Sequence, residues 1–481
     1  MQDSRRQLTA FAACFLLAVA FLSVFSNTTS WLFHGQQMTD SAIFMTVGRC
    51  WTEGLLPYRD LFDTKGPYLY VINALGYLIA GSRVGVFILQ AVSLTIAFFF
   101  AYKLFRLNYG HMMSLALTLL CALSLSSCME GGNSAEEYIL PCLFASFYLL
   151  LKWISSRPVD RHPVVYSFVY GLTFGVALMT RPTDALGLAG ILLAGLIWLL
   201  AHARASHTVN NILSFLAGIA VFLLPFLIYL FATSTWDDFL YACYTFNFSY
   251  LSHSDIGIET WQDVARWLKS FFVCYFFLII ALLLLRHRAD RWRGLFWTSA
   301  SLLPLLWFVC GQGYGHYAII CAPYFCLTVI ELRHLWTRHH SRVYGWLMMA
   351  FLGITLAFGA YELRSSWMIF HEREPKLSAF QQVMSLIPET DEGSVATYGD
   401  LTDFYYYTNL SPHYPYFVIQ QMGCERDSQM KRRVRTVFEK GDAHWIVVSG
   451  RTYPITDILH RRYASVYRSD DGSVSLYHIV K

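Results

Sequence analysis

The sequence predicts an all-α polytopic membrane protein that ends in a small α/β domain, and three observations predict it. Of 481 residues, 56% are hydrophobic and only 14% are charged, where a soluble globular chain carries roughly 25% charged residues. Apolar runs recur along the chain, several reaching the roughly 18 or more residues needed to cross a hydrocarbon core of about 30 Å. Beyond about residue 362 these runs give way to the mixed pattern of a soluble domain. The net charge of +4 matters less than its distribution. Most of the eleven cysteines fall inside apolar runs, where a thiol reads as a small buried hydrophobe and not as part of a disulfide framework.

The chain opens on "MQDSRRQLTAFAACFLLAVAFLSVF", two arginines and then an apolar run. The run is long for a signal peptide and lacks a convincing small-residue cleavage site, so it reads as an uncleaved anchor. Strong apolar runs lie near 8–26, 84–102, 112–129, 138–151, 164–179, 185–201, 212–231, 271–285, 295–310, 317–332 and 344–360. The stretch 67–80, "PYLYVINALGYLIA", is short for a span and reads as an interfacial or re-entrant helix.

Orientation follows from the basic residues. If 67–80 does not cross, the loops on the side of the N-terminus hold Lys103 and Arg106, Lys152, Arg157 and Arg161, Arg204, Arg286 to Arg293, and Arg333 to Arg342. By the positive-inside rule that side is cytoplasmic. About eleven spans result, with the N-terminus inside and the C-terminus outside. The acid-rich connectors then collect on the outer face: the first outer loop 27–83, "MEGGNSAEEY", "TRPTD", "TWDDFLYACYTFNFSYLSHSD" and "GQGYGHY". Residues 1–361 form the membrane domain and 362–481 a soluble extracytoplasmic domain. In the latter, "SVATYG" and "HWIVVSG" read as strands and "SQMKRRVRTVFEKG" as a helix capped by Gly441. "ASVYRSDDGSVSLYHIV" reads as a hairpin turning at Asp471-Gly472. No internal repeat is evident, which weakens an inverted-repeat transporter.

The outer charges suggest chemistry, each against a plainer role. Asp40 heads "TDSAIF" and is either a helix N-cap or a general base at the membrane surface, where partial desolvation lifts a carboxylate toward neutrality. Lys65, in "DTKGP", precedes a turn and the start of a helix at Pro67, a combination suited to a phosphate; the plainer role is a snorkelling lysine. Asp60 and Asp63 could steer Lys65 or bind a divalent cation. Glu136 and Glu137 head a span, where they complement the helix dipole or serve an acceptor or a metal. Arg181, in "MTRPTD", lies between two apolar runs and needs an anionic partner, either lipid phosphate or Asp184. His316 and Tyr317 stand at the mouth of another span, where a histidine is structural, ligates a metal or touches a phosphate. Most of "FNFSYLSHSD" reads as an interfacial aromatic belt. Asn27, Asn247 and Asn409 head N-x-[ST] sequons on the outer side, of consequence only in a secretory-pathway host.

The stretch "TDSAIFMTVGRCWTEGLLPYRDLFDTKGPYLYVINALGYLIAG" resembles the first outer loop of GT-C glycosyltransferases. Within them it is similar to the bacterial branch related to protein O-mannosyltransferases and the lipid A aminoarabinose transferase. The shared pattern is an acidic residue after the first span, then G-x-x-P-Y, then K-[GP]-P-x-x-Y on a juxtamembrane helix. "GGNSAEEYILP", "MTRPTD" and "GQGYGHYAIICAPYF" match later motifs more loosely, and the resemblance covers most of residues 1–360. This chain has Ser41 where the family often shows Glu, and Thr64 where the aminoarabinose branch has Glu before the lysine.

The resemblance implies a polyprenyl-phosphate sugar as donor and inverting transfer to a lipid, glycan or protein acceptor on the outer face of a bacterial inner membrane. Asp40 takes the position of the acidic catalytic residue and Lys65 that of the residue holding the donor phosphate, with Arg181 as a second cation. Asp63, Glu136, Glu137 and His316 are candidates for the acceptor or for a divalent cation; no cofactor is required by the sequence. Membrane lipids are expected partners and nucleic acid is not. A transporter or flippase of a lipid-linked saccharide is the alternative. It would line a path through the bilayer with polar groups, whereas here the helix centres are apolar. A non-catalytic scaffold is a third reading and leaves the first-loop cluster unexplained.

Overall fold

The computed structural model describes residues 2–34, 39–156, 162–251, 261–310, 314–370 and 376–480. Every expected apolar run folds as a helix. The first nine helices are α1 (Gln2–Phe25), α2 (Thr39–Thr52), α3 (Pro67–Ala80), α4 (Arg83–Arg106), α5 (His111–Leu125), α6 (Ala135–Ser155), α7 (Val164–Leu178), α8 (Leu186–His202) and α9 (Ala205–Ala232). Among the described residues, eight helices are long and apolar enough to cross a membrane, or nine if a bent pair counts as one span. The expected count was about eleven. The difference lies in α7, which has only 15 residues, in the pair Trp261–Ser270 and Phe272–Arg286, which is bent by 64°, and in Arg291–Cys310, which falls outside the eight. The chain is a multi-pass membrane protein.

Two compact units emerge. The first comprises residues 1–30, 87–226 and 254–369 and is a helical bundle. Small residues let its helices approach closely, as in other membrane bundles. A side chain at Gly190 of α8 would meet the Ser299 carbonyl at 2.0 Å, and one at Gly187 would meet the Tyr324 hydroxyl. A buried ion pair braces the same region: Arg293 donates to Glu331 at 2.5 Å, and the Trp297 indole N–H donates to the same oxygen at 2.9 Å.

The second unit comprises residues 31–86, 227–253 and 370–481. Helix α3 has 14 residues, about 21 Å at 1.5 Å per residue and so shorter than a span. It packs on α2 at Gly48, where an added Cβ would lie 2.6 Å from the Ala74 nitrogen. It ends at Gly81, whose φ of 61° is left-handed. The same unit holds a four-stranded sheet, β1 (Val395–Gly399), β2 (Trp445–Ser449), β3 (Tyr463–Arg468) and β4 (Ser475–Ile479), in the order β1-β2-β4-β3. β1 and β2 run parallel; β4 is antiparallel to both β2 and β3. The helix Ser428–Lys440 ends on Gly441, with φ 76°, and the β3–β4 turn contains Gly472, with φ 69°. Both agree with the sequence. Asp427 caps that helix by accepting from the Gln429 and Met430 N–H groups.

Candidate functional site

In the second unit the segment "DTKGP" is held by its neighbours' side chains. The Tyr70 hydroxyl donates to Asp63 Oδ2 at 2.6 Å and accepts from the Lys65 N–H at 3.3 Å. The Tyr58 hydroxyl donates to the Lys65 carbonyl at 2.9 Å, and the Cys243 thiol donates to the same oxygen at 3.1 Å. The Asn247 amide donates to the Thr64 carbonyl at 3.1 Å. Tyr58 and Tyr70 are the motif tyrosines of "GLLPY" and "KGPYLY", so the two tyrosines of the first-loop pattern converge on the lysine backbone. Tyr58 has a left-handed φ of 71°; its backbone N–H donates to the Leu61 carbonyl at 2.8 Å, and its ring meets that of Tyr70 edge to face. Cys243 and Asn247 come from a π-helical turn, Tyr241–Thr245, and the helix after it; such turns are enriched at functional sites. The stretch expected to be mostly aromatic belt therefore supplies one of the groups that fix the loop, Asn247. His253 and Asp255 lie outside the described residues.

Lys65 is half-buried and precedes Gly66, the extended N-cap of α3. Pro67 stands at the first helical position, where its missing N–H costs nothing. Asp40 lies in the first turn of α2 with its side chain exposed, so the desolvation expected of it is not provided by burial. Asp63 is buried, 3% exposed. Burial pushes its carboxyl above the ordinary carboxylate range, opposed by the charge of Lys65, the Tyr70 hydroxyl and the Thr64 N–H, and assisted by the charge of Asp40. Asp63 thus feels the charges of both Lys65 and Asp40. Asp60 has a local role, accepting from the Leu56 N–H at 2.8 Å.

The sign of the Asp63 shift gives a stability prediction. A carboxyl raised in the folded state favours the neutral form there. Its contribution is full below the unfolded value of about 3.9 and is lost as pH rises through the folded value. Asp63→Asn should therefore remove a contribution to the melting temperature that grows as pH falls toward ~4. A pH profile of thermal melts identical to that of the wild type would refute the upward shift of the Asp63 carboxyl.

In the first unit the three looser motifs meet. Residues 130–133 are all left-handed, with φ of 41°, 97°, 81° and 59°. This run carries Glu130 against the start of the late motif: its carboxylate accepts from the Gly315 N–H at 2.9 Å, the His316 N–H at 3.2 Å and His316 Nδ1 at 2.6 Å. Burial alone would raise the Glu130 carboxyl, but the hydrogen bond and charge of His316, with the two backbone N–H groups, hold it below the ordinary range. Glu136 pairs with Arg181, whose guanidinium lies 3.4 Å over the Tyr317 ring. Glu137 reaches back to the Ser134 N–H at 2.8 Å and accepts from Gln90 at 2.9 Å, a helix-start role.

Arg181, Glu136 and His316 are therefore brought together, with Glu130 and Tyr317 completing the group. Arg181 finds its anion in Glu136, a partner distant in sequence. Glu130 was not singled out, although its place beside Gly131-Gly132 in "MEGGNS" was a signal. Of "GQGYGHY", residues 311–313 lie outside the described residues. Among the described residues no group of three or more His, Cys, Asp or Glu side chains is arranged to hold a metal ion. Arg181→Ala would remove the cation that pairs with the buried Glu136 carboxylate, 2% exposed at its side chain. A loss of roughly 3–5 kcal/mol is expected, read as a fall in the melting temperature of purified protein. Arg181→Ala with Glu136→Gln should recover part of it; no loss in the single variant would show the pair to be idle.

A family model described as "Putative competence-induced protein Ccs4 N-terminal domain" matches residues 7–343. No curated protein matches the sequence. Among solved structures, ArnT from Cupriavidus metallidurans bound to undecaprenyl phosphate is similar at 13% identity over 98% of each chain, with a TM-score of 0.59. The same protein in the apo state matches to the same degree. The oligosaccharyltransferase of Archaeoglobus fulgidus in its apo form is similar at 12% identity over 99% of this chain and 74% of its own, with a TM-score of 0.50. The fold is the GT-C glycosyltransferase fold.

Proposed function

We propose that this chain, which belongs to the competence-induced protein Ccs4 N-terminal domain family, is a membrane glycosyltransferase that takes its sugar from a polyprenyl-phosphate donor. The observation that carries the reading is the built loop around Lys65. Four side chains fix its backbone, in a fold shared with a protein solved with undecaprenyl phosphate bound.

The chemistry asks for little more. A lipid phosphate is already a good leaving group, so no general acid is needed. Asp40 takes the proton from an acceptor hydroxyl or amine, and the freed lone pair attacks the anomeric carbon. The C–O bond to the phosphate breaks on the opposite face, inverting the centre, and the electron pair leaves on the phosphate oxygen. Lys65 stabilises that developing charge. Arg181, whose charge Glu136 meets, reaches a phosphate only by exchanging Glu136 for it. Asp63 holds the loop through Tyr70. Following the positive-inside rule, the site faces the extracytoplasmic side of a bacterial inner membrane, as do residues 362–481.

The experiment is a choice of donor. Membranes containing the chain should transfer labelled sugar from a panel of polyprenyl-phosphate sugars and not from the matching nucleotide sugars. Transfer from nucleotide sugars, in membranes unable to make lipid-linked intermediates, would overturn the reading.

A further inference from the structure

We propose that a cavity within the second unit binds a sugar unit bearing a carboxylate or a phosphate, as part of the acceptor. The assignment to the acceptor rests on the glycosyltransferase reading above. The cavity has a volume of about 340 Å³, at the small end of the roughly 300–1,000 Å³ typical of ligand pockets. Arg49, Arg83, His34, Tyr77, Tyr406 and Tyr407 are among the residues that line it. Its walls are α2, α3, the turn at Gly81 and the start of α4, together with the short helix Phe404–Thr408. Close packing of α2 on α3 at Gly48 sets two of those walls rigidly.

The charge of the lining is one-sided. Two guanidiniums and an imidazole line the cavity, and among the described residues no carboxylate does. Arg49 is buried and committed: it donates to both oxygens of Glu53, at 3.0 and 3.1 Å, and to the Leu410 carbonyl at 2.6 Å. Arg83 donates to the Phe33 carbonyl and forms no ion pair among the described residues. A half-buried guanidinium that donates to a carbonyl and meets no carboxylate among the described residues favours an anion, which it can bind with two parallel N–H groups.

The rest of the lining fits a sugar ring. Three tyrosines offer apolar faces with polar tips, and Tyr406 and Tyr407 stand edge to face at 5.2 Å. Asn73, Ser82 and Asn409 add amide and hydroxyl groups. Met45 and Val86 are the apolar aliphatic contributions, too few for a lipid tail.

The test is direct binding to the full chain in detergent micelles, by saturation-transfer NMR and calorimetry, with glucuronate, glucose 6-phosphate, glucose and inorganic phosphate as probes. At least one anionic sugar should bind, glucose and inorganic phosphate about tenfold more weakly or worse. Arg83→Gln should weaken the anionic sugar about tenfold, Arg83→Lys less, with melting temperatures held. Asp40→Asn should bind as the wild type does, because its side chain is not part of the cavity lining. The inference fails if neither anionic sugar binds, if inorganic phosphate binds as well as the sugars, or if Arg83→Gln is indifferent. Sugar transfer measured on the same preparation separates the two readings. Transfer without binding sinks this inference alone, and binding without transfer from any lipid donor sinks the glycosyltransferase.

Discussion

Asp40→Asn is expected to lower the rate of sugar transfer by roughly 10²–10⁴-fold, the usual worth of a positioned general base. Asparagine keeps the size of the side chain and removes its basicity. The Asp40 carboxylate is exposed in the first turn of α2, so the substitution strands no buried partner. Its cost to stability should stay within about 0.5 kcal/mol. That separation gives the prediction its force, because lost activity with an unchanged melting temperature points to chemistry and not to folding. The fall should appear in kcat and kcat/KM together, as for an interaction made only in the transition state. A variant that loses only affinity for the donor would place Asp40 in binding instead.

Lys65→Ala should cost roughly 10²–10³-fold in kcat, comparable to removing a preorganised donor from a developing oxyanion. Lys65→Arg should keep part of the rate, since the charge remains while the compact ammonium geometry is lost. The backbone bonds that fix this loop use the Lys65 N–H and carbonyl and the Thr64 carbonyl, not the ammonium. The alanine variant should therefore keep these backbone bonds while removing the charge. Kinetics on solubilised protein, with binding of undecaprenyl phosphate measured alongside, decide the matter. Wild-type kcat in Lys65→Ala would remove the lysine from the mechanism.

Much of the fold was legible because it rests on local signals. Apolar runs became helices, Gly441 and Gly472 took the left-handed conformations their turns require, and "SVATYG" and "HWIVVSG" became paired strands. Span number was less legible, because run length and helix length differ where a chain bends, as between Ser270 and Phe272. In the first loop the motif spacing pointed to Asp40 and Lys65, but not to what holds them. Tyr58 and Tyr70 were present in the pattern as letters; their task became visible only as hydrogen bonds to Asp63 and Lys65. Cys243 and Asn247 were hidden for a different reason. They lie more than 170 residues from the loop they fix, and nothing in the sequence encodes such a distance. The same holds for Arg181. Its sequence neighbour Asp184 was the natural candidate, yet folding delivers Glu136, 45 residues away. Glu130 escaped notice because its position depends on a left-handed run that glycines at only two of its four places announce.

The most direct measurement is transfer of labelled sugar from polyprenyl-phosphate donors in membranes carrying either the wild type or Asp40→Asn at equal protein level. Transfer by the wild type, falling at least a hundredfold in the variant, is the predicted result. Transfer by Asp40→Asn at the wild-type rate would contradict it.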